Sequence, residues 1–519
     1  MTQSRLLPEG WITTSLADVC FNIVDGSHNP PPARSSGLPM ISAKNIGDHI
    51  ELAGRLIDAD AFALEDRRTE VRPGNVLLTI VGTIGRTAVV PHGFQPFTLQ
   101  RSVAVLKPRL LDPRFLAYQL QSERLQNSLR AHARGTAQKG IYLNSLDAIE
   151  IRVAPLPEQI RIADTLDKMF SHLGASVTAL ERARANLKRY RASVLKAAVE
   201  GRLVLTEAEL ARKEGRDFEP ASVLLDRILV ERRRRWEESE LARMNATGKP
   251  PKDDRWKSKY DEPVPPDISN LPQLPEGWCW ASLDQLGKVS GGLTKNQARE
   301  KMPTRLPYLR VANVYANQLR LGEILDIGVE PSELTRVRLE AGDLLVVEGN
   351  GSPDQIGRVA IWDGSIDPCV HQNHLIKVRF GNNALSQWSL NWLLSPTGHS
   401  SIARAASSTS GLHTLSISKV ARVSVPLAPL AEQARAISEL QRRESVCAEA
   451  IDTVTKCEKR AGRLRQSILK CAFEGRLTGR DPNDEPASVL LERIRAERAA
   501  YMRPPKSRKS TVLDAEAAK

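Results

Sequence analysis

The sequence predicts an α/β (α+β) protein in which two globular domains with mixed, irregular sheets are separated by two long antiparallel helices forming an intramolecular, pseudo-two-fold coiled coil. Three observations predict it. The chain repeats itself: Glu219-Pro-Ala-Ser-Val-Leu-Leu-Asp-Arg-Ile228 returns as Glu485-Pro-Ala-Ser-Val-Leu-Leu-Glu-Arg-Ile494, and Leu-Pro-Glu-Gly-Trp ends at both Trp11 and Trp278. Each copy mixes short β-rich runs with helical ones. A heptad run then follows each domain. At 519 residues the chain is too long for one core, and duplication divides it into two domains of ordinary size.

In chain order, the first domain occupies 1–156. Its Asn75 to Val81 and Ser102 to Leu106 read as strands bounded by Gly and Pro. Asp112-Pro113 opens a helix, because Asp accepts from orphan amides and Pro supplies a pre-set first turn. The first long helix covers 157–202, and a capping helix with an exposed Pro-rich linker covers 203–270. The second domain covers 271–428, with strands at Asp343 to Val347 and His374 to Val378. A second long helix (429–477), a second capping helix (478–503) and a basic tail expected to be disordered (504–519) complete the chain. Inside the domains only a frame is shared: Ile84-Gly-Arg86 recurs as Ile356-Gly-Arg358, and Pro155-Leu-Pro-Glu-Gln159 as Pro429-Leu-Ala-Glu-Gln433.

The helix assignments rest on periodicity. Ala163, Leu166, Phe170, Leu173, Val177 and Leu180 are spaced by three and four, as a heptad seam requires. The second copy keeps the register with Ile437, Leu440, Cys447, Ile451 and Val454. Arg184, Arg191 and Glu444 fall on seam positions that an apolar residue would pack better. Two such runs in one chain, each following a matching domain, favour antiparallel pairing within the molecule. A 44-residue helix spans roughly 66 Å at ~1.5 Å per residue, enough for a spacer.

Composition narrows the partners. Lys and Arg total 74 against 61 Asp and Glu, a net charge of +13 and a pI near 9.5, which favours a polyanion. The six cysteines lie scattered without C-x-x-C pairs, as reduced cytosolic thiols do. No apolar run approaches the ~20 residues of a membrane span, and no membrane partner is expected. The chain is expected to be soluble and cytoplasmic.

Several motifs resemble chemistry and lack a part of it. Asn29-Pro-Pro-Pro32 approaches the Asn-Pro-Pro-aromatic motif of amino-methyltransferases, but Pro32 supplies no ring to stack on a flipped base. Gly349-Asn-Gly351 is followed by no Gly-Lys-Ser/Thr. His371 and His374 have no third ligand beside them in sequence. With no catalytic constellation, the expected work is holding and positioning.

The tandem domains opening with Leu-Pro-Glu-Gly-Trp, the Pro155-Leu-Pro-Glu-Gln159 and Pro429-Leu-Ala-Glu-Gln433 entries into heptad helices, and the Glu-Gly-Arg-Leu endings at Leu203 and Leu477 resemble the specificity subunit of type I restriction-modification systems. That resemblance implies that each globular unit is a target recognition domain reading half of a split, asymmetric double-stranded DNA target. It implies that the paired helices set the gap, and that the subunit binds no cofactor and has no active site. The expected partners are two methyltransferase subunits carrying S-adenosylmethionine and, where the system has them, two motor-nuclease subunits using ATP and Mg2+.

Lys and Arg would then neutralise phosphates while amide and hydroxyl groups read base edges. Candidates are taken from loops where the copies diverge. In the first domain they are His28, Asn29, Lys44, Asn45, Thr136, Gln138 and Lys139. In the second they are Lys295, Asn296, Arg310, Asn313, Asn350, Ser352, Ser408, Thr409, Ser410 and His413. For each of them a solvated loop is an equal alternative. The run Glu231-Arg-Arg-Arg-Arg-Trp236 admits phosphate, an acidic partner or a plain solvated helix end. The competing reading of the whole chain is a coiled-coil protein-interaction scaffold with no nucleic-acid role, whose binding would be insensitive to salt.

Overall fold

The computed structural model describes residues 7–47, 49–135, 139–349, 356–406 and 414–501. The tail expected over 504–519 lies outside them. The chain falls into two compact units, 1–181 with 455–519 and 182–454.

In the first unit a four-stranded antiparallel sheet has the order Cys20–Asp25, Val103–Pro108, Val76–Thr79, Thr87–Val89. A three-stranded sheet sets Leu38–Ile41 between Arg55–Ile57 and the parallel Thr98–Leu99. Ile12–Ser15 pairs with Glu150–Val153, joining the two ends of the domain. Val76, Leu77 and Leu78 are all fully buried, because both faces of this central strand are covered. The predicted helix start is realised: Asp112 accepts from the amides of Arg114 and Phe115, and Pro113 begins the helix Pro113–Gln121.

The second unit repeats this plan. Its sheets run Gly287–Gly291, Leu375–Phe380, Leu344–Val347, Val359–Ile361 and Leu325–Gly328, Arg305–Leu309, Val370–His371, with Cys279–Ser282 paired to Ser424–Leu427. A small hairpin, Val314–Tyr315 with Gln318–Leu319, occurs in this unit.

Both long helices form, Leu156–Val199 and Leu430–Phe473, each 44 residues. Within the first unit Phe170 lies under Arg465, 4.1 Å from ring centroid to guanidinium, and Arg161 binds Asp484 at 2.6 Å. Within the second unit Val194 and Leu440 share a cluster and Arg435 reaches Glu207 at 2.6 Å. In each unit, then, the partner's residue numbers fall as the first helix's rise, and the pairing is antiparallel. The seam is uneven. Leu166, Phe170, Leu440 and Val454 are buried, whereas Leu173, Val177, Leu180 and Ile451 are only half-buried.

The shared Pro-Leu-X-Glu-Gln blocks prove to be anchors. Gln159 donates to the Ala154 carbonyl at 2.7 Å and Gln433 does the same to Ala428, also at 2.7 Å. Glu158 accepts from the Trp11 indole (3.1 Å) and Glu432 from the Glu207 amide (2.8 Å). Burial raises both glutamates above the ordinary carboxyl pKa, and the hydrogen bonds oppose that shift. Each long helix then stops at a left-handed glycine, Gly201 (φ 68°) or Gly475 (φ 66°). Just beyond, Arg202 pairs with Glu200 and Arg476 with Glu474.

Sequence repetition places the capping helix Ala221–Ala246 in the first copy, yet Ala221 and Leu224 pack in one cluster with Trp278 and Trp388 of the second domain. Its counterpart Ala487–Tyr501 places Ala487 and Leu490 in the core of the first domain. The Gly277 carbonyl receives the Ala221 amide, and the Gly10 carbonyl the Ala487 amide. Each domain is thus closed by the helix that sequence repetition assigns to the other copy.

The Pro-rich stretch after that helix is exposed over most of its length and folds back onto the helix. A 3-10 turn, Asp254–Lys259, brings Trp256 onto Trp236 (centroids 5.9 Å, stacked) and Tyr260 to 5.3 Å from it. Its arginine run is already matched with acids: Arg232 to Asp284, Arg233 to Glu237, and Arg234 and Arg235 to Glu231.

Candidate nucleic-acid interface

The sheets gather the described candidate residues at one end of each domain. In the first, the strand Cys20–Asp25 finishes opposite Ala104 and Val76–Thr79 finishes opposite Val103, so the loops leaving both strands emerge together. Backbone bonds knit those loops. The Ser27 amide donates to the Leu99 carbonyl (2.8 Å), Arg101 to Ser27 (2.9 Å), Gln100 to Ile41 (2.9 Å) and Gly82 to Lys139 (3.2 Å). Ser102 Oγ accepts from the Ala43 amide at 3.0 Å. Five segments separated in sequence therefore bring His28, Asn29, Lys44, Arg86, Arg101 and Lys139 to one sheet end.

Three of these cations, Lys44, Arg101 and Lys139, are exposed and have no carboxylate partner among the described residues. His28 is also exposed and holds Asp25 at 2.7 Å. Arg86 reaches the Ile46 carbonyl at 3.4 Å. Asn45 is different. It is buried, accepts from the Ser42 amide (3.0 Å) and donates to the Ala53 carbonyl (3.1 Å). Its amide shapes the turn and is turned away from solvent.

The second domain builds the same end. The Leu293 amide donates to the His371 carbonyl (2.8 Å), Gln372 to Leu309 (2.9 Å), Glu348 to His374 (3.0 Å) and Leu415 to Glu348 (2.7 Å). Asn313 repeats Asn45: it is buried, accepts from the Arg310 amide (2.9 Å) and donates to the Arg320 carbonyl (2.8 Å). Lys295 is exposed, while Asn296 caps the short helix Gln297–Glu300 by accepting from the Arg299 amide at 3.0 Å. Arg310 donates to the Glu323 carbonyl at 2.9 Å. Thr136, Gln138, Asn350, Ser352, Ser408, Thr409, Ser410 and His413 lie outside the described residues. The two histidines considered as metal ligands diverge: His371 is fully buried with Nδ1 on the Leu375 carbonyl, and exposed His374 meets Glu348.

Residues 31–180 match the family model described as the type I restriction modification DNA specificity domain. Along almost its whole length the chain is similar to the EcoKI specificity subunit of a type I restriction enzyme from Escherichia coli K12, 25% identical over 95% of this chain and 97% of that one. Its relatives are specificity subunits of type I restriction-modification systems. A second relative, the StySPI specificity subunit from Salmonella potsdam, is 24% identical over 95% of this chain and 96% of its own. A solved chain from work on complex assembly and conformational transition of the type I R-M system shares the fold. Its TM-score is 0.52 at 18% identity, covering 91% of this chain and all of that one.

As a specificity subunit the chain serves DNA sequence recognition and is not itself an enzyme. Sequence reading missed several residues at its sheet ends: Arg86 and Arg358, Arg101, Tyr315 and Arg320. The signal for the first pair was present, since Ile-Gly-Arg recurs at the same strand end in both copies. No helix of the described residues is long and apolar enough to cross a membrane.

Proposed function

We propose that this specificity subunit reads a split, asymmetric DNA target, with one half-site taken by the loop-bearing sheet end of each domain. The observation that carries this reading is the convergence of five loop segments on one end of each domain, bearing exposed cations without carboxylate partners. Such cations lower the free energy of a phosphate backbone, while neighbouring amides and hydroxyls face base edges. Because the frames agree and the loops differ, the half-sites differ in sequence. His28, Asn29, Lys44 and Lys139, and Lys295 and Arg310, are the exposed or partly exposed members of the set chosen from sequence.

The two 44-residue helices set the gap between half-sites, and the repeated Glu-Gly-Arg-Leu blocks serve the helix pair or the docking of two methyltransferase subunits. Methyl transfer with S-adenosylmethionine, and cleavage with ATP and Mg2+, belong to those partners and to motor-nuclease subunits. The test is to map methylated adenines in cells carrying the methyltransferase with and without this chain. Methylation of two short blocks around a fixed unspecified gap is expected; a single continuous site refutes the proposal. Inserting four residues into each helix adds ~6 Å and should lengthen the gap by about two base pairs at ~3.4 Å each.

A further inference from the structure

The same turn heads the sheet in both domains, but the charges placed on it differ. The buried amides of Asn45 and Asn313 define the correspondence. The Glu51 amide donates to the Asn45 carbonyl (3.0 Å) where the Arg320 amide donates to that of Asn313 (2.8 Å). By the same superposition Ser42 stands for Arg310, Gly47 for Tyr315 and Arg86 for Arg358. At the positions of Arg310, Arg320 and Arg358 the first domain therefore has one cation, Arg86, and one carboxylate, Glu51, which faces His49 at 3.6 Å; its other cation on this turn, Lys44, stands where the second domain has Ala312. The second has three guanidiniums.

Those three are held in place. Arg320 and Arg358 both lie over the Tyr315 ring, 3.7 and 4.7 Å from its centroid. Arg358 donates to the Val311 carbonyl (3.3 Å) and Arg310 to Glu323 (2.9 Å). The Nε groups of Arg310 and Arg358 are buried with no acceptor, and none of the three has a carboxylate partner among the described residues. Three like charges collected around one turn repel one another unless an anion lies against them. A base edge carries no net charge to relieve that repulsion; a phosphate does, and its oxygens match the donor fork of guanidinium. Stacking on Tyr315 has already restricted rotamers that binding would otherwise have to freeze.

We propose that Arg310, Arg320 and Arg358, braced by Tyr315, form a phosphate clamp that seats the DNA backbone on the second domain and has no counterpart in the first. The proposal rests on the reading that the chain recognises DNA, and it adds that the two domains anchor the duplex unequally.

The test uses the full chain assembled with its methyltransferase and a duplex carrying the sequence found by methylation mapping. Exposed Arg320 is replaced in Arg320→Gln and Arg320→Lys, and affinity is measured against salt concentration. Loss of one phosphate contact should weaken binding several-fold, reduce the slope of log affinity against log salt by about one, and leave the methylated sequence unchanged. Arg320→Lys, which keeps the charge, should retain the wild-type slope. A changed half-site sequence with an unchanged slope would make Arg320 a base reader and overturn the clamp. Identical behaviour of Arg320→Gln and wild type would overturn it too, while leaving DNA recognition intact. If the unaltered complex shows no sequence-specific binding, the recognition reading itself fails and the clamp falls with it.

Discussion

Arg191 and Glu444, two of the three charged residues on seam positions of the long helices, are bound to each other, Nη2 to Oε1 at 3.1 Å. Each is a poor seam residue alone. Together they mark a register, because an antiparallel slip by one turn would leave both unmatched beside apolar neighbours.

Reversing either charge alone, Arg191→Glu or Glu444→Arg, should destabilise the second unit by up to about 1 kcal/mol, the scale of a partly exposed pair. The double reversal should recover most of that loss. A double-mutant cycle in urea unfolding measures the coupling, and additive single effects would show that the pair plays no part in register.

The turn asparagines and the neighbouring lysine should separate stability from binding. Asn313→Ala leaves the Arg310 amide and the Arg320 carbonyl without their partner and should cost about 1–3 kcal/mol. Asn45→Ala should behave alike in the first unit. Lys44→Gln, exposed one residue earlier, should change stability by less than about 0.5 kcal/mol yet weaken DNA binding at low salt. Calorimetry and salt-dependent binding on the same variants check both halves.

What was legible in the sequence was whatever local periodicity or capping chemistry dictates. The heptads gave both helices to within a few residues, and Asp112-Pro113 gave a helix start, since each depends on neighbours along the chain. Asn45 and Asn313 were chosen as polar loop residues fit for DNA. Nothing local distinguishes an amide that reads a base from one that closes a turn onto Ala53 or Arg320, because those acceptors are fixed by the loop's return. The domain on which Ala221 and Ala487 pack was equally hidden, since identical sequences carry identical local preferences and only chain connectivity decides between the sites. Arg320 and Tyr315 escaped because the stacking depends on how the 314–319 hairpin returns, which brings together residues five apart that no local pattern pairs.

Glycine-to-alanine substitution should have opposite signs at different helix positions. At Gly475 an added Cβ would lie 2.4 Å from Pro8 Cγ at a φ of 66°, and at Gly201 2.7 Å from Pro275 Cγ at 68°. Left-handed backbone alone costs an L-residue about 1–2 kcal/mol, so Gly475→Ala and Gly201→Ala should each lose at least that. Gly174, inside the first long helix, has open space around it. Gly174→Ala should gain up to about 1 kcal/mol. Denaturant midpoints decide, and a stabilised Gly475→Ala would mean that the helix does not end against the Leu7-to-Trp11 loop.

His371 is fully buried where the first domain has Leu99; its Nδ1 meets the Leu375 carbonyl at 2.8 Å and its Nε2 has no partner. Burial, with the Lys377 ammonium nearby, lowers its pKa to about 4 from the ordinary 6.5. The folded state therefore keeps the imidazole neutral while the unfolded chain takes up a proton. Its contribution is constant above pH 6.5 and is lost progressively as pH falls towards 4, a loss on the order of 2–3 kcal/mol. His371→Leu, the residue the first domain uses, removes the titration together with the unpaired Nε2 and gives up one hydrogen bond worth about 1 kcal/mol. Near pH 7.5 the variant should match wild type to within about 1 kcal/mol, and between pH 6.5 and 4 it should become progressively the more stable of the two. Parallel stability curves for the two proteins across that window would show that His371 does not stay neutral in the fold.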